Sequence, residues 1–426
     1  MHPAREGHTM RFIHTADIHL DSPLKGLEVH EDAPVEEIRG ATRRAFDRLI
    51  ELALEEEVDL VLIAGDLYDG DWKDYNTGLF FAGRMGRLAQ AGIRVFIVSG
   101  NHDAASQITR AMPLPDNVTL FSPARPQSVQ LDDLGVIIHG QSYSSRAVTE
   151  NLAALYPPRD ANYFNIGLLH TSLNGREGHE NYAPCSIDEL ISKGYDYWAL
   201  GHVHKREVVA DDPWIIFPGN IQGRHIKESG VKGATLVTVK DGRIVGIQER
   251  ELDVLRWTVC RVDLSECATR EAVHEQVRSA MDNAQNLAGG KTLALRLQLG
   301  GRCPLHAELH ARSIHWTEEF RAIAASMGDV WLEKVKFGTS RWAGLEDILG
   351  EDSPLAGLLR AIERPEFGDE MRMTLLPDLA GLKSKLPVEL LDRDSLLENS
   401  PEALTELREE VKDLLIAKLL QHRGEG

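Results

Sequence analysis

Nine polar residues in the first half of the chain stand immediately after runs of strand-forming residues, and all are types that bind metals or move protons. They are Asp17 and His19 after RFIHTA, Asp66 and Asp69 after DLVLIAG, Asn101 and His102 after VFIVSG, His170 after NIGLL, and His202 and His204 after DYWALG. Carboxylate, imidazole and amide oxygen without thiolate suit Mn²⁺, Fe²⁺ or Zn²⁺ in five- or six-coordinate sites better than structural zinc. Seven of these residues would serve a pair of metals, with one carboxylate shared. Two metals about 3.5–4 Å apart activate a water and clamp the oxygens of an in-line displacement at phosphorus. The chemistry implied is phosphoester hydrolysis. Taken singly, each motif also reads as a plain turn, because Gly, Asn and Asp favour turns and one histidine proves nothing.

The elements that must position these groups alternate. Arg11–Ala16 reads as a strand, and if it continued, period-two geometry would put Asp17 and His19 on one side. Val35–Glu57 has helical spacing at Ile38, Ala45, Leu49, Leu52 and Ala53, with Arg39, Arg43, Arg44 and Arg48 as a solvated face. Leu60–Ala64 is a continuous apolar run typical of a buried parallel strand. A helix over Asn76–Ala91 then leads to the strand VFIVS. This order implies right-handed crossovers, a parallel sheet, and polar sets gathered along its carboxyl edge, where ligands bind in open α/β sheets. Further strands follow at 118–121, 136–140, Asn165–Leu169 and Asp196–Leu200. Trp214–Phe217, Gly233–Val239 and Ile244–Glu249 read as closing antiparallel strands, the last two joined by an Asp241-Gly242 turn. His139, inside an apolar run, reads as a core histidine. From about Leu255 a βαβαβ order begins, with strands Arg256–Leu264, Thr292–Leu299 and Val330–Phe337 and helices Thr269–Ala284 and His306–Met327. Beyond Gly344 the chain is acidic and leucine-rich, and Leu404–Ile416 carries an apolar stripe.

At 426 residues, two or three domains are expected. A net charge of -19 argues against a phosphate-rich partner, yet residues 345–426 alone hold 10 basic against 19 acidic side chains. The rest leaves room for local basic patches, and a bound metal changes the sign where it sits. Lys205, Arg206, Arg224, Lys227 and Lys232 are candidate walls of a nucleic-acid groove, with scattered surface charge the equal alternative. Cys185, Cys260, Cys267 and Cys303 lack CxxC spacing, which argues against a thiolate site or a disulfide framework. No apolar run reaches the roughly 18 residues of a membrane span, and MHPAREGHTM lacks a signal core, so a cytoplasmic location is expected.

The ordered set DxH, GDxxD, GNHD, His and GHxH resembles the calcineurin-like metallophosphoesterases. HTADIHLDSPL at 14–24, GDLYDGDWKDYNTG at 65–78 and FPGNIQGRHIKESGVKG at 217–233 extend the resemblance to the YhaO branch of the SbcD-type DNA repair exonucleases. Typical SbcD proteins have a Pro-Ser pair where this chain has WKDYNTG. The resemblance implies an α/β fold, a four-layer sandwich of two mixed sheets flanked by helices over residues 10–250. The element order and composition beyond it give a small α/β capping domain at 251–340 and a helical tail at 341–426. The resemblance assigns Asp17, His19 and His204 to one metal, Asn101, His170 and His202 to the other, and Asp66 to both. His102 is then free to act on the scissile phosphate or leaving oxygen, with Asp69 orienting it. The family further implies two divalent metals, most often Mn²⁺, DNA as substrate, an SMC-like ATPase partner of the SbcC or YhaN type, and a possible homodimer. Hydrolysis of a small nucleotide or cyclic phosphodiester, and a regulatory scaffold role on an ATPase, are the competing expectations.

Overall fold

A computed structural model of the chain describes residues 9–22, 35–69, 75–105, 114–175 and 181–341, with isolated positions 357, 358, 360 and 411. The Leu404–Ile416 stripe and the rest of the acidic tail fall outside the described residues. The first of two units runs to Arg256 and the second begins at Trp257.

In the first unit, β1 (Thr9–Thr15), β2 (Leu60–Ala64), β3 (Arg94–Val98) and β4 (Val118–Leu120) pair in parallel. Helices α1 (Val35–Glu55) and α2 (Tyr75–Gln90) connect the first three. A short helix α3 (Asn101–Ala105) opens with the GNHD residues themselves. The hairpin β11 (Gly233–Lys240) and β12 (Arg243–Glu251) completes this sheet antiparallel to β1, in the order β12-β11-β1-β2-β3-β4. Asp241 and Gly242 both have positive φ, as a two-residue primed turn requires.

A second sheet runs β5-β6-β7-β8-β10-β9, from β5 (Gln127–Leu131), β6 (Val136–Gly140), β7 (Phe164–His170), β8 (Tyr197–Gly201), β9 (Glu207–Asp211) and β10 (Trp214–Phe217). Its middle pairs are parallel and its outer pairs antiparallel. Trp214–Phe217 thus differs from the expected closing hairpin: it lies parallel to β8 in this sheet, while β11 and β12 close the other.

Strand periodicity divides the side chains between layers. From β2, Leu60, Leu62 and Ala64 join Phe12, Phe96, Ile138, Ile166 and Ala199 between the sheets. Val61 and Ile63 turn outward to Ala45, Phe46 and Leu49 of α1 and Phe81 and Met85 of α2. The outer face of the second sheet is covered through Leu152, Tyr156, Tyr195, Trp198 and Leu190, the last on α4 (Ile187–Ser192). These are the four layers of the expected sandwich. A polar clamp crosses between the sheets: buried His14 on β1 meets Tyr197 Oη at 2.9 Å and Leu200 O at 3.0 Å. Burial pushes its imidazole down to about 3, so it is neutral there. His139 is a core histidine, hydrogen-bonded to Ser128 at 2.8 Å and stacked on Tyr195.

The arginine face of α1 is less solvated than expected. Arg43 pairs with Asp21 and lies over the Phe80 ring, and Arg48 donates to Asp253 O at 2.7 Å. The unit boundary also falls later than residue 250. Gln222 accepts from Val254 N at 2.9 Å and donates to Leu255 O at 2.6 Å, and Arg256 pairs with buried Asp253, so residues 251–256 belong to the first unit.

The second unit has β13 (Leu255–Asp263), β14 (Thr292–Gly300) and β16 (Val330–Phe337) in one sheet, and a short β15 (Arg302–Cys303) paired with Ser340–Arg341. Helix α5 (Arg270–Ala288), capped by Thr269 and by Gly289 in the left-handed region, packs on the larger sheet around Val273, Val277 and Met281. The expected helix His306–Met327 is two, His306–Ala311 and Ser313–Ser326, because Arg312 leaves helical dihedrals at φ -120 and ψ 32. All four cysteines are buried thiols.

Phe12 is fully buried between the two sheets, edge-on to Tyr197 with ring centroids 5.2 Å apart. Phe12→Ala should cost about 3–5 kcal/mol in equilibrium urea unfolding. A loss below about 1 kcal/mol would mean that this layer is not the closely packed core that the burial describes.

Candidate metal centre

β1 ends at Thr15, so the period-two argument for Asp17 and His19 does not hold. Both residues instead adopt left-handed backbone, at φ 50 and 46, and Asp66 and His202 share it at φ 51 and 105. Such conformations cost roughly 1–3 kcal/mol each in non-glycine residues and persist only where surrounding bonds fix them. Here the loop after β1 runs beside the loop after β2. Asp17 N donates to Gly65 O at 3.0 Å, His19 N to Asp66 O at 2.9 Å, and Leu20 N to Leu67 O at 2.9 Å. The GNHD turn is tied to the same place by Asp103, which accepts from Gly100 N, Leu67 N and Tyr68 N at 2.9–3.2 Å. Gly100 must be glycine, since a Cβ there would lie 2.8 Å from His170 Nε2.

These loops gather the predicted residues into two buried acceptor groups. Asp17, His19 and His204 bring ligand atoms within 4.8 Å of one another, and so do Asp66, His170 and His202. Asp66 Oδ2 lies between the groups, 3.9 Å from His19 Nε2 and 3.6 Å from His170 Nε2. Asn101 Oδ1 sits 3.1 Å from His170 Nε2. His19 Nε2 approaches His204 Nε2 at 3.3 Å, while its buried Nδ1 has no hydrogen-bond partner. Burial, helped by the Arg224 guanidinium, pushes the His19 imidazole down to about 3, leaving it neutral and able to ligate. Burial and then the neighbouring Asp66 push the Asp17 carboxyl well above the usual range, the signature of anions held without enough positive charge. Imidazoles, carboxylates and an amide oxygen converging in this way fit two divalent ions.

His102 and Asp69 form a separate pair beside these groups. His102 Nδ1 is 2.6 Å from Asp69 Oδ1, and the His102 ring lies edge-on to His19 with centroids 4.8 Å apart. Ser22 donates to the other Asp69 oxygen. Burial would lower the His102 imidazole, but the hydrogen bond to Asp69 and the charges of Asp66 and Asp69 outweigh it, and the net shift is upward. Against its own burial, Asp69 is held well below the usual carboxylate range by His102 and His19. His102 also keeps a side-chain exposure of 31%, so a substrate can reach it.

The basic candidates divide. Lys205 and Lys227 are exposed. Arg206 is half-buried and bonded to Thr235 and Glu249. Arg224 and Lys232 are turned inward: Arg224 pairs with Glu228, and buried Lys232 donates to His204 O at 2.8 Å. Sequence reasoning missed Glu228, whose Oε1 is 2.7 Å from His204 Nδ1, and Asn220, which donates to Glu228 at 2.9 Å. Their one signal was the stretch FPGNIQGRHIKESG, which carried the family resemblance without giving them a role.

Comparison with known proteins agrees with this geometry. Residues 10–206 match the calcineurin-like phosphoesterase family, and residues 257–340 match the middle domain of the metallophosphoesterase YhaO. A Bacillus subtilis (strain 168) protein described as an uncharacterized metallophosphoesterase YhaO is 36% identical over 374 residues, which is 84% of this chain and 88% of that one. Two solved structures are more distant. The protein TT1561 of Thermus thermophilus has 14% identity and a TM-score of 0.34, over 57% of this chain and 100% of its own. A dimetal phosphatase from Danio rerio has 10% identity and a TM-score of 0.36, over 57% and 96%. Among the described residues, no helix is long and apolar enough to cross a membrane. A calcineurin-like fold binds two divalent metals, and the two acceptor groups are their candidate holders. On its sequence and on the centre assembled at its strand ends, this chain belongs to the YhaO family of calcineurin-like metallophosphoesterases, metal-dependent phosphoester hydrolases.

Proposed function

We propose that this chain hydrolyses DNA phosphodiesters, using Mn²⁺ and working in the cytoplasm beside an SMC-like ATPase. The observation that carries the diesterase reading is the His102–Asp69 pair, 2.6 Å long and placed beside the acceptor groups. A diester with an alkoxide leaving group needs a proton delivered as the P–O bond breaks, and an imidazolium held by a carboxylate is suited to deliver it. Two divalent ions, when bound, supply Lewis acidity to the phosphoryl group and lower the pKa of the attacking water. The chain's own part is divided. Asp17, His19 and His204 would hold one ion, Asn101, His170 and His202 the other, and Asp66 would serve both. Asp69 orients the His102 ring and favours its protonated form, so that the proton passes from His102 to the departing oxygen. The likeness of 65–78 and 217–233 to SbcD-type exonucleases supports DNA as the polymer.

A second reading, a small nucleotide diester as substrate, is favoured by one observation. Of the five basic residues expected to line a groove, Arg224 and Lys232 are turned inward and only Lys205 and Lys227 are exposed. Mn²⁺-loaded protein offered labelled linear DNA, circular DNA and a chromogenic phosphodiester in parallel separates the two. The DNA reading expects cleavage of linear DNA; cleavage of the small ester alone would remove it.

His102→Asn should keep both metals and the fold yet lower turnover of a DNA diester by about 10²–10⁴. Turnover of a nitrophenyl ester, whose leaving group scarcely needs a proton, should fall much less. Equal damage to both substrates would replace the acid role with one in positioning the phosphate.

A further inference from the structure

Behind one histidine of each, His170 and His204, the two halves of the centre are built differently. A proton on Nδ1 leaves Nε2 as the ligating atom, so whatever accepts from Nδ1 aims the ring and sets its donor strength. Behind His170 the acceptor is neutral, the Ala64 carbonyl at 2.8 Å. Behind His204 it is an anion, Glu228 Oε1 at 2.7 Å. Glu228 is buried, with a side-chain exposure of 5%, and both of its oxygens are engaged. Oε1 also accepts from Arg224 Nη2 at 2.8 Å, and Oε2 accepts from Asn220 Nδ2 at 2.9 Å and from Arg224 N at 2.8 Å. Arg224 in turn reaches towards Asp69, Nη1 to Oδ2 being 3.9 Å. This buried ion pair sits in the loop between β10 and β11, and neither member belongs to the ligand set.

We propose that Glu228 is a positioning residue for the His204 half of the centre: its carboxylate holds His204 in the Nδ1–H form with Nε2 inward, while Arg224 and Asn220 hold the carboxylate. The inference rests on the two-metal reading and goes beyond it by making the halves unequal. A carboxylate behind an imidazole raises its basicity, and losing such a partner typically costs 10–100-fold in metal affinity. Glu228 gives that support to the His204 half. The competing role is merely structural, with Glu228 neutralising Arg224 and acting on both halves alike.

The test titrates Mn²⁺ alone into metal-free full-length protein and reads free Mn²⁺ by its EPR signal. Wild type should take up two equivalents. Glu228→Gln keeps the shape and removes the charge, and should weaken one equivalent by about 10–100-fold while leaving the other within about twofold. Because Glu228→Gln strands the Arg224 charge, the double variant with Arg224→Gln is titrated beside it and should show the same one-sided loss. Glu228→Asp, which keeps the charge, should recover part of the affinity. Two unchanged equivalents in Glu228→Gln, equal weakening of both, or an Asp variant no better than Gln would each overturn the role of Glu228. Fewer than two equivalents in wild type would overturn the two-metal centre itself.

Discussion

The structure is organised around buried acceptors that face one another. Asp17 and Asp66, each 1% exposed, lie among His19, His170 and His202, all buried. Burying one unpaired carboxylate is expensive, and burying two side by side more so. The cost shows in Asp17, whose carboxyl is driven well upward by burial and by Asp66. The half-buried Arg224 guanidinium lies nearby, but it is bound to Glu228. Such an arrangement fits a holder of divalent cations.

Bringing these groups together requires backbone that no regular strand supplies. Four of the seven assigned ligands, Asp17, His19, Asp66 and His202, sit at positive φ. The two sheets hold the strain, because each ligand stands at or just beyond the end of a strand that packing holds in place. The His14 clamp between β1 and the end of β8 fixes the two strands that carry Asp17, His19, His202 and His204. His202 N then donates to both Asp17 oxygens at 3.0 and 3.1 Å, joining the loops directly. Fold stability and ligand geometry are in this sense one problem, solved at the strand ends.

Much of this was legible in the sequence, and the reason is local. Short continuous apolar runs mark the strands, and polar residues just beyond them emerge at a strand end, so the candidate ligand set could be collected without coordinates. The failures are equally physical. Positive φ at Asp17 and His19 is imposed by hydrogen bonds to Gly65 and Asp66, on a loop distant in sequence, and leaves no local mark. Glu228 follows no strand, so a search of strand ends passes over it. Arg224 and Lys232 look like surface charge because their partners, Glu228 and the His204 carbonyl, are set by tertiary contact. A break between two consecutive helices, as at Arg312, is invisible to periodicity when both carry an apolar stripe.

Asp66 is the candidate shared residue of the two half-sites, with one of its oxygens 3.9 Å from His19 and 3.6 Å from His170. A crystal grown in Mn²⁺ and measured at the manganese absorption edge tests this directly. The anomalous difference map should show two peaks, one among Asp17, His19 and His204 and one among Asn101, His170 and His202, with Asp66 ligating both. A single peak, or a second peak out of reach of Asp66, would contradict it.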